Sequence, residues 1–345
     1  MMKSADETRG RGRRGRPLWQ EELGRSLRSL GALRSFFSGR WSAPELGPVV
    51  RKYPLLVSRY YAGLIERPEE TDPIFRQSVP MPEELSNPPG LTPDPLAEEQ
   101  YSPVPGLVHR YPDRCLLLLT NLCFVYCRHC LRKRIWKEKG LRYRRRRFLA
   151  MRDYIAATPT LREVILSGGD PLTLPNPELG FILSSLRAIP HLEVIRIHTR
   201  APAALPARIE AGLLELLDQF GPVWLNTQFN HPREITPAAA LAVDRLLRAG
   251  VPVGNQAVLL RGVNDDLETQ RALHLGLLRI KVRPYYLFHC DPAEGVGHFR
   301  TSVAQGQALL EELCRTSSGL AIPAYAQELP EGGGKVRMGV SGFSL

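Results

Sequence analysis

The sequence predicts an α/β protein, a partial (β/α)6 TIM-like barrel preceded by an N-terminal helical extension. Three observations carry this. Six short runs rich in β-branched residues or leucine recur: Cys115–Thr120, Val164–Ser167, Val194–Thr199, Val223–Phe229, Val253–Leu260 and Val282–His289. Helical patterns separate them, which is the signature of parallel βα units. Polar residues stand at the ends of these runs, at Thr120, Ser167, Thr199, Asn230 and Asp291. Barrels gather their chemistry at the C-terminal ends of the strands, so a closed or partly closed barrel is expected over an open sheet.

Taken in order, residues 1–17 are polar and basic and read as a disordered tail. Residues 18–110 form the extension. Its first part, to about residue 78, mixes apolar and basic residues as short helices do; residues 79–106 are proline-rich and read as an extended segment running over a surface. The barrel is assigned to residues 111–325 and a C-terminal segment to 326–345. Within the barrel, Leu179, Ile182, Leu183 and Leu186 follow helical spacing. A second helix opens at Thr236–Pro237, an N-cap followed by proline at the first position, and stops at Gly250.

Length and composition bound the function. A chain of 345 residues, 43% apolar, suits one large domain with extensions. No apolar run reaches membrane-spanning length, and the N-terminus has no secretory pattern, so a cytoplasmic, reducing location with free thiols is expected. The net charge of +11 is concentrated in two places: residues 1–17 contribute +4 and the run Arg142–Arg147 contributes +5. A nucleic-acid domain spreads its charge over a folded face. A solvated tail and a basic helix start are therefore expected, with no nucleic-acid or membrane partner.

Cys123, Cys127 and Cys130, in "CFVYCRHC", place half of the six cysteines within eight residues, directly after the first predicted strand. A structural zinc site wants four ligands, and His129 cannot easily join its immediate neighbours in one tetrahedron. Thiolates favour iron–sulfur clusters. Three thiolates on a four-iron cluster leave one iron open to a substrate or cofactor.

This CxxxCxxC spacing resembles the signature of the radical S-adenosylmethionine (SAM) enzymes. Ser167, Gly168, Gly169 and Asp170, at the end of the next strand, are similar to that superfamily's SAM-contacting glycine motif; taken alone, they would be an ordinary turn. Longer segments narrow the match: "SPVPGLVHRYPDRCLLLLTNLCFVYCRHCLRKR", "VILSGGDPL", "WLNTQFNHPREIT", "GVPVGNQAVLLRGVND", "RPYYLFHCD" and "GGGK". Together they resemble the lysine 2,3-aminomutase family from about residue 50 to residue 335.

The resemblance implies a radical SAM barrel, a 4Fe-4S cluster on the three cysteines, SAM, and pyridoxal 5'-phosphate (PLP) on Lys335. It places Arg110, Tyr111 and Arg114 near PLP and its phosphate, and His129, Gln256 and Asp170 on the SAM side. Arg132 would hold the α-carboxylate of the substrate, and Asp291 and Glu328 its side-chain ammonium. It implies an isomerase that moves the α-amino group of L-lysine to the β-carbon, and a reducing partner of flavodoxin or ferredoxin type. A homo-oligomer is possible in such a family.

The sequence departs from the family in two places. The family's lysine enzymes carry aspartate at the position of Glu328. Ten residues follow Lys335, where longer relatives continue into a zinc-binding tail, and Asp266 stands at the position of that tail's cysteine partner; no structural zinc is expected. Short-tailed relatives make β-lysine for modifying elongation factor P. Ornithine, arginine or glutamate as substrate, irreversible use of SAM on another substrate, and a non-catalytic iron–sulfur or RNA-binding protein are the competing readings.

Overall fold

The computed structural model describes residues 17–41, 45–330 and 334–339. Apart from Pro17, the expected tail lies outside these residues. Nine strands form one sheet in sequence order. They are β1 (Leu107–Tyr111), β2 (Arg114–Thr120), β3 (Glu163–Gly168), β4 (Val194–His198), β5 (Val223–Thr227), β6 (Val253–Leu259), β7 (Arg283–His289), β8 (Ala324–Glu328) and β9 (Lys335–Arg337). Pairing from β2 through β8 is parallel, and β1 and β9 add antiparallel edges. The six predicted runs all form strands; β1, β8 and β9 are additional. The sheet thus begins before residue 111 and continues past 325.

The parallel strands are buried because helices cover their outer face. Leu166, Ile195, Ile197, Leu225 and Ala257 are fully buried. The predicted helices form at Asn176–Arg187 and Pro237–Arg248. The first buries Leu179, Ile182, Leu183 and Leu186. The Thr236 side chain caps the second by accepting from Ala239 N at 3.1 Å. β5 is two residues shorter than expected, because Asn255 takes the chain out of the ladder. Its Oδ1 accepts from Phe229 N at 2.7 Å and its Nδ2 donates to Phe229 O at 3.0 Å.

The ladder does not close, since β1 and β9 do not pair with each other. Side chains span the gap. Arg110 and Tyr111 on β1 donate to Glu328 Oε1 on β8, at 3.1 and 2.9 Å. Arg110 also donates to Leu329 O.

The proline-rich segment keeps most of residues 82–93 at the surface, as expected, but is anchored at buried points: Val79 and Glu84 are fully buried, and Glu98 is 3% exposed. The reason is charge. Residues 79–106 hold five acids and no lysine or arginine, while residues 128–137 hold five cations. Glu84 accepts from Arg128 at 2.6 Å and Lys133 at 2.8 Å. Glu98 pairs with Arg132 at 2.6 Å and Arg134 at 3.0 Å, and Asp94 meets Arg134 at 2.9 Å. The acidic strap thereby clamps the chain that follows the cysteines.

Removing one partner of such a buried set leaves uncompensated charge, at a cost of about 3–5 kcal/mol. Glu84→Ala is expected to lose about that much stability. Urea unfolding measures it; a variant as stable as the parent would show that the clamp contributes nothing.

The Arg142–Arg147 run begins the helix Arg145–Ala156. Arg145 pairs with Glu178, and Arg147 ties the helix to β2 through Leu118 O and Leu119 O at 2.7 and 2.6 Å.

Candidate active site

A cavity of about 490 Å³ opens at the C-terminal ends of the strands. All sixteen residues singled out from sequence line it: Arg110, Tyr111, Arg114, Cys123, Cys127, His129, Cys130, Arg132, Ser167, Gly168, Gly169, Asp170, Gln256, Asp291, Glu328 and Lys335.

The cysteine loop leaves β2 and folds over the end of β3. Gly168 adopts φ +115°, and a Cβ there would stand 2.5 Å from Thr120 O. Gly169 N donates to Thr120 O at 2.5 Å and Asp170 N to Leu122 O at 2.8 Å. Glycine is required because the two backbones touch. The Asp170 carboxylate is committed to the fold, accepting from Thr199 Oγ1 at 2.8 and 2.9 Å, Arg200 N at 2.8 Å and Leu172 N at 3.0 Å. Burial lifts its pKa to about 6 in spite of these donors.

The three thiols are free and line one wall. Arg200 Nη1 donates to Cys127 Sγ at 2.8 Å, and its Nη2 pairs with Glu234 at 2.5 Å. A buried cation at this point suits a thiolate-bound anionic cluster. Among the described residues, no three His, Cys, Asp or Glu side chains could hold a metal ion together. A single ion needs donors converging on one point, about 2.3 Å from each sulfur; a four-iron cluster takes each thiolate on a different iron. Cys115 and Cys290, both buried in strand or strand-end positions, have pKa values pushed up to about 12, by burial first.

In the cavity, two polar groups stand without protein partners among the described residues. His129 Nδ1 is buried and unpaired, while Nε2 lies 3.3 Å from Asn230 Nδ2. Burial, then Arg200 and Lys133, hold His129 neutral by depressing its pKa. The Gln256 amide faces the cavity and makes no protein hydrogen bond.

Lys335 sits opposite, on β9. The β8–β9 register places it directly across from Glu328, which explains the seven-residue spacing between them. Its Nζ lies 3.5 Å from Glu328 Oε2, and 5.3 and 5.9 Å from the rings of Tyr111 and Phe288. Burial lowers its pKa; Glu328 opposes that, and Arg114 reinforces it. Arg110 Nε is buried with no partner, and Arg114 lies 3.6 Å over the Tyr111 ring. An amine between two aromatic rings, its pKa lowered by burial and with guanidinium groups beside it, fits an aromatic aldehyde that bears a phosphate. Glu331, Gly332 and Gly333, just before it, lie outside the described residues.

Arg132 and Asp291 differ in what they have free. Arg132 chelates Glu98 through Nε and Nη2, at 2.9, 3.0 and 2.6 Å, and its Nη1 has no hydrogen bond among the described residues. The Asp291 carboxylate makes no ion pair among them either. Burial, then the Glu328 carboxylate, push its pKa up to about 7. The same causes push Tyr111 up to about 12. Asp266 proves to be the N-cap of the helix Leu267–Arg279, accepting from Thr269 N at 2.9 Å.

Sequence reading missed Glu98, Arg196, His198 and Arg200, which also line the cavity. A signal existed for Arg196 and His198. They alternate along β4 between the buried Ile195 and Ile197, which puts both on the lumen side.

A model of the radical SAM superfamily matches residues 117–272. L-lysine 2,3-aminomutase of Bacillus subtilis (strain 168) is 43% identical over 321 residues, covering 93% of this chain and 68% of that protein. The L-lysine 2,3-aminomutase of Clostridium subterminale is 45% identical over 286 residues, covering 83% and 69%. Glutamate 2,3-aminomutase of Clostridioides difficile (strain 630) is 41% identical over 279 residues, covering 81% and 66%. With its cysteine triplet, its glycine-supported loop and its half-buried lysine in one cavity, the chain belongs to the lysine 2,3-aminomutase family, isomerases that use a 4Fe-4S cluster, SAM and PLP.

Proposed function

We propose that the protein moves the α-amino group of L-lysine to its β-carbon. Asp291 carries this reading: it is a carboxylate in the cavity with no cation of its own. Identity to relatives does not decide the substrate, because relatives named for lysine and for glutamate are about equally similar. Charge does. An unpaired acid beside Glu328 attracts a distal ammonium and repels a second carboxylate.

In this reading Cys123, Cys127 and Cys130 hold the cluster, and Arg200 balances its charge. His129, Gln256 and the backbone at Ser167–Asp170 face SAM. Asp170 acts as a positioning residue through Thr199 and Arg200. When bound, the cluster and SAM supply a hydrogen-abstracting radical, and PLP supplies a π-system that carries the migrating nitrogen. Lys335 attaches PLP, with Arg110, Tyr111 and Arg114 beside it. Arg132 Nη1 receives the α-carboxylate while Glu98 fixes the guanidinium. Asp291 takes the distal ammonium. Glu328 is tied to Arg110 and Tyr111 through Oε1, and its Oε2 has only Lys335. In this reading that oxygen shares the distal ammonium with Asp291. Orientation and exclusion of water are the protein's contribution.

Asp291→Asn leaves a buried ammonium underpaired by about 3–5 kcal/mol. It is expected to lower kcat/KM for lysine by about two to three orders of magnitude, with cluster and PLP spectra unchanged. A protonated Asp291 has no charge to offer. KM for lysine should therefore rise as pH falls through about 7, and Asp291→Asn should lack that step. Lysine, ornithine, arginine and glutamate are to be compared side by side. Turnover of glutamate alone would overturn the charge argument; faster turnover of ornithine would keep the site and change the substrate. Supply of β-lysine for elongation factor P remains the alternative use of the same reaction, and has no separate support in the site.

A further inference from the structure

Much of the chain's positive charge is not used by the cavity. In the segment from residue 131 to 147, Glu138 is the only acid among ten cations. Several of those cations have structural partners: Arg132 and Arg134 pair with Glu98, Lys133 with Glu84 and Arg145 with Glu178, and Arg147 binds β2 carbonyls. Lys137, Lys139 and Arg142 have no acidic partner among the described residues. They are exposed and form no ion pair among the described residues, as do Arg28 and Arg51 from the N-terminal extension.

These five cations are not scattered. Lys137 Nζ reaches Arg51 O. Arg28 and Arg142 both act electrostatically on the phenol of Tyr126. Asn121 Nδ2 pins the segment to the start of the cysteine loop, donating to Ile135 O, Trp136 O and Glu138 O at 3.2, 3.3 and 2.8 Å.

Beneath them lies an aromatic layer. The Tyr126 and Trp136 rings stack with centroids 4.5 Å apart and planes 14° from parallel. Cys123 and Cys130 pack against this layer on its inner side. Cys123 and Cys130 thus line the cavity and also touch this aromatic layer. Tyr126 and Trp136 are only 8% and 6% exposed. They cannot stack on the bases of a nucleic acid, which needs open ring faces.

We propose that the surface formed by Arg28, Arg51, Lys137, Lys139 and Arg142 docks an acidic, low-potential one-electron carrier protein, which reduces the centre held by the three cysteines across the Tyr126–Trp136 layer. The inference rests on reading that centre as a redox cluster. The balance is simple: the carrier's reduced group loses one electron, the oxidised cluster gains it, and no bond or proton changes place. A basic rim around the aromatic layer that Cys123 and Cys130 touch steers an acidic partner to this face.

The test uses the reconstituted holoenzyme and a triple charge reversal, Lys137→Glu/Lys139→Glu/Arg142→Glu. Cluster reduction is followed anaerobically by stopped-flow absorbance, with flavodoxin hydroquinone as the protein donor and dithionite as the small donor. The variant should lose at least about tenfold in the second-order rate with flavodoxin, within the range of electrostatic steering. The wild-type rate should fall with added salt. The extent of reduction by dithionite should not change. An equal flavodoxin rate in variant and wild type would overturn the proposal. So would the same loss in a control reversal at the exposed Arg248 and Arg315. Salt-sensitive RNA binding that the variant loses, with its flavodoxin rate intact, would reassign the patch to nucleic acid. Failure of dithionite to reduce the wild-type centre would count against the cluster reading itself.

Discussion

Replacing Cys123, Cys127 and Cys130 together with alanine is expected to remove all iron and all turnover while PLP binding partly survives. The two cofactor regions are built on different parts of the sheet. The thiols sit on the loop after β2, held by the glycine contact with β3 and by Asn121. Lys335 sits on the edge strand β9, across the cavity. Loss of one need not unfold the other. Cys115, Cys290 and Cys314 are the internal controls. The first lies within β2 and the second directly follows β7, both buried and neither on the loop after β2; the third is exposed and lies outside the cavity lining. Alanine at any of these should leave the iron content unchanged. Full iron content in the triple variant, measured by chemical analysis and by the cluster's visible absorption, would refute the assignment.

Lys335→Ala is expected to abolish turnover and the yellow chromophore of bound PLP, with the iron content unchanged. Covalent attachment needs a neutral amine, and burial lowers the Lys335 pKa in that direction. Borohydride reduction of the wild-type holoenzyme followed by peptide mapping should find the pyridoxyl group on Lys335. Labelling of Lys281 instead would refute the assignment. Lys281 follows the helix Leu267–Arg279 and is absent from the cavity lining, so the two outcomes are structurally distinct.

The features legible in sequence were those set by local pattern. β-Branched and leucine runs marked β2 through β7, because strands buried on both faces read as continuous apolar runs. The spacing of Cys123, Cys127 and Cys130 marked the loop. The edge strands escaped notice for the complementary reason. β8, "AYAQE", and β9, "KVR", carry little apolar signal, and their place is fixed by pairing and by Tyr325, whose hydroxyl shares a hydrogen bond with His289 Nδ1 at 2.8 Å. Pairings across the chain were equally silent. Nothing local to Arg132 announces Glu98, 34 positions earlier. The matched charges of the strap and of residues 128–137 were the available clue. Proline content did not reveal these buried anchors, because it reports on backbone conformation and not on burial.

The cavity's side wall, where Arg110 and Tyr111 meet Glu328, has an energetic consequence. Backbone ladders hold every other boundary between neighbouring strands, and each is cooperative along its length. This boundary rests on a few side-chain hydrogen bonds, worth about 1.5–3 kcal/mol each where a charged group takes part. The six parallel pairings do not depend on it. The free energy of parting this seam is thereby separate from the unfolding free energy of the sheet.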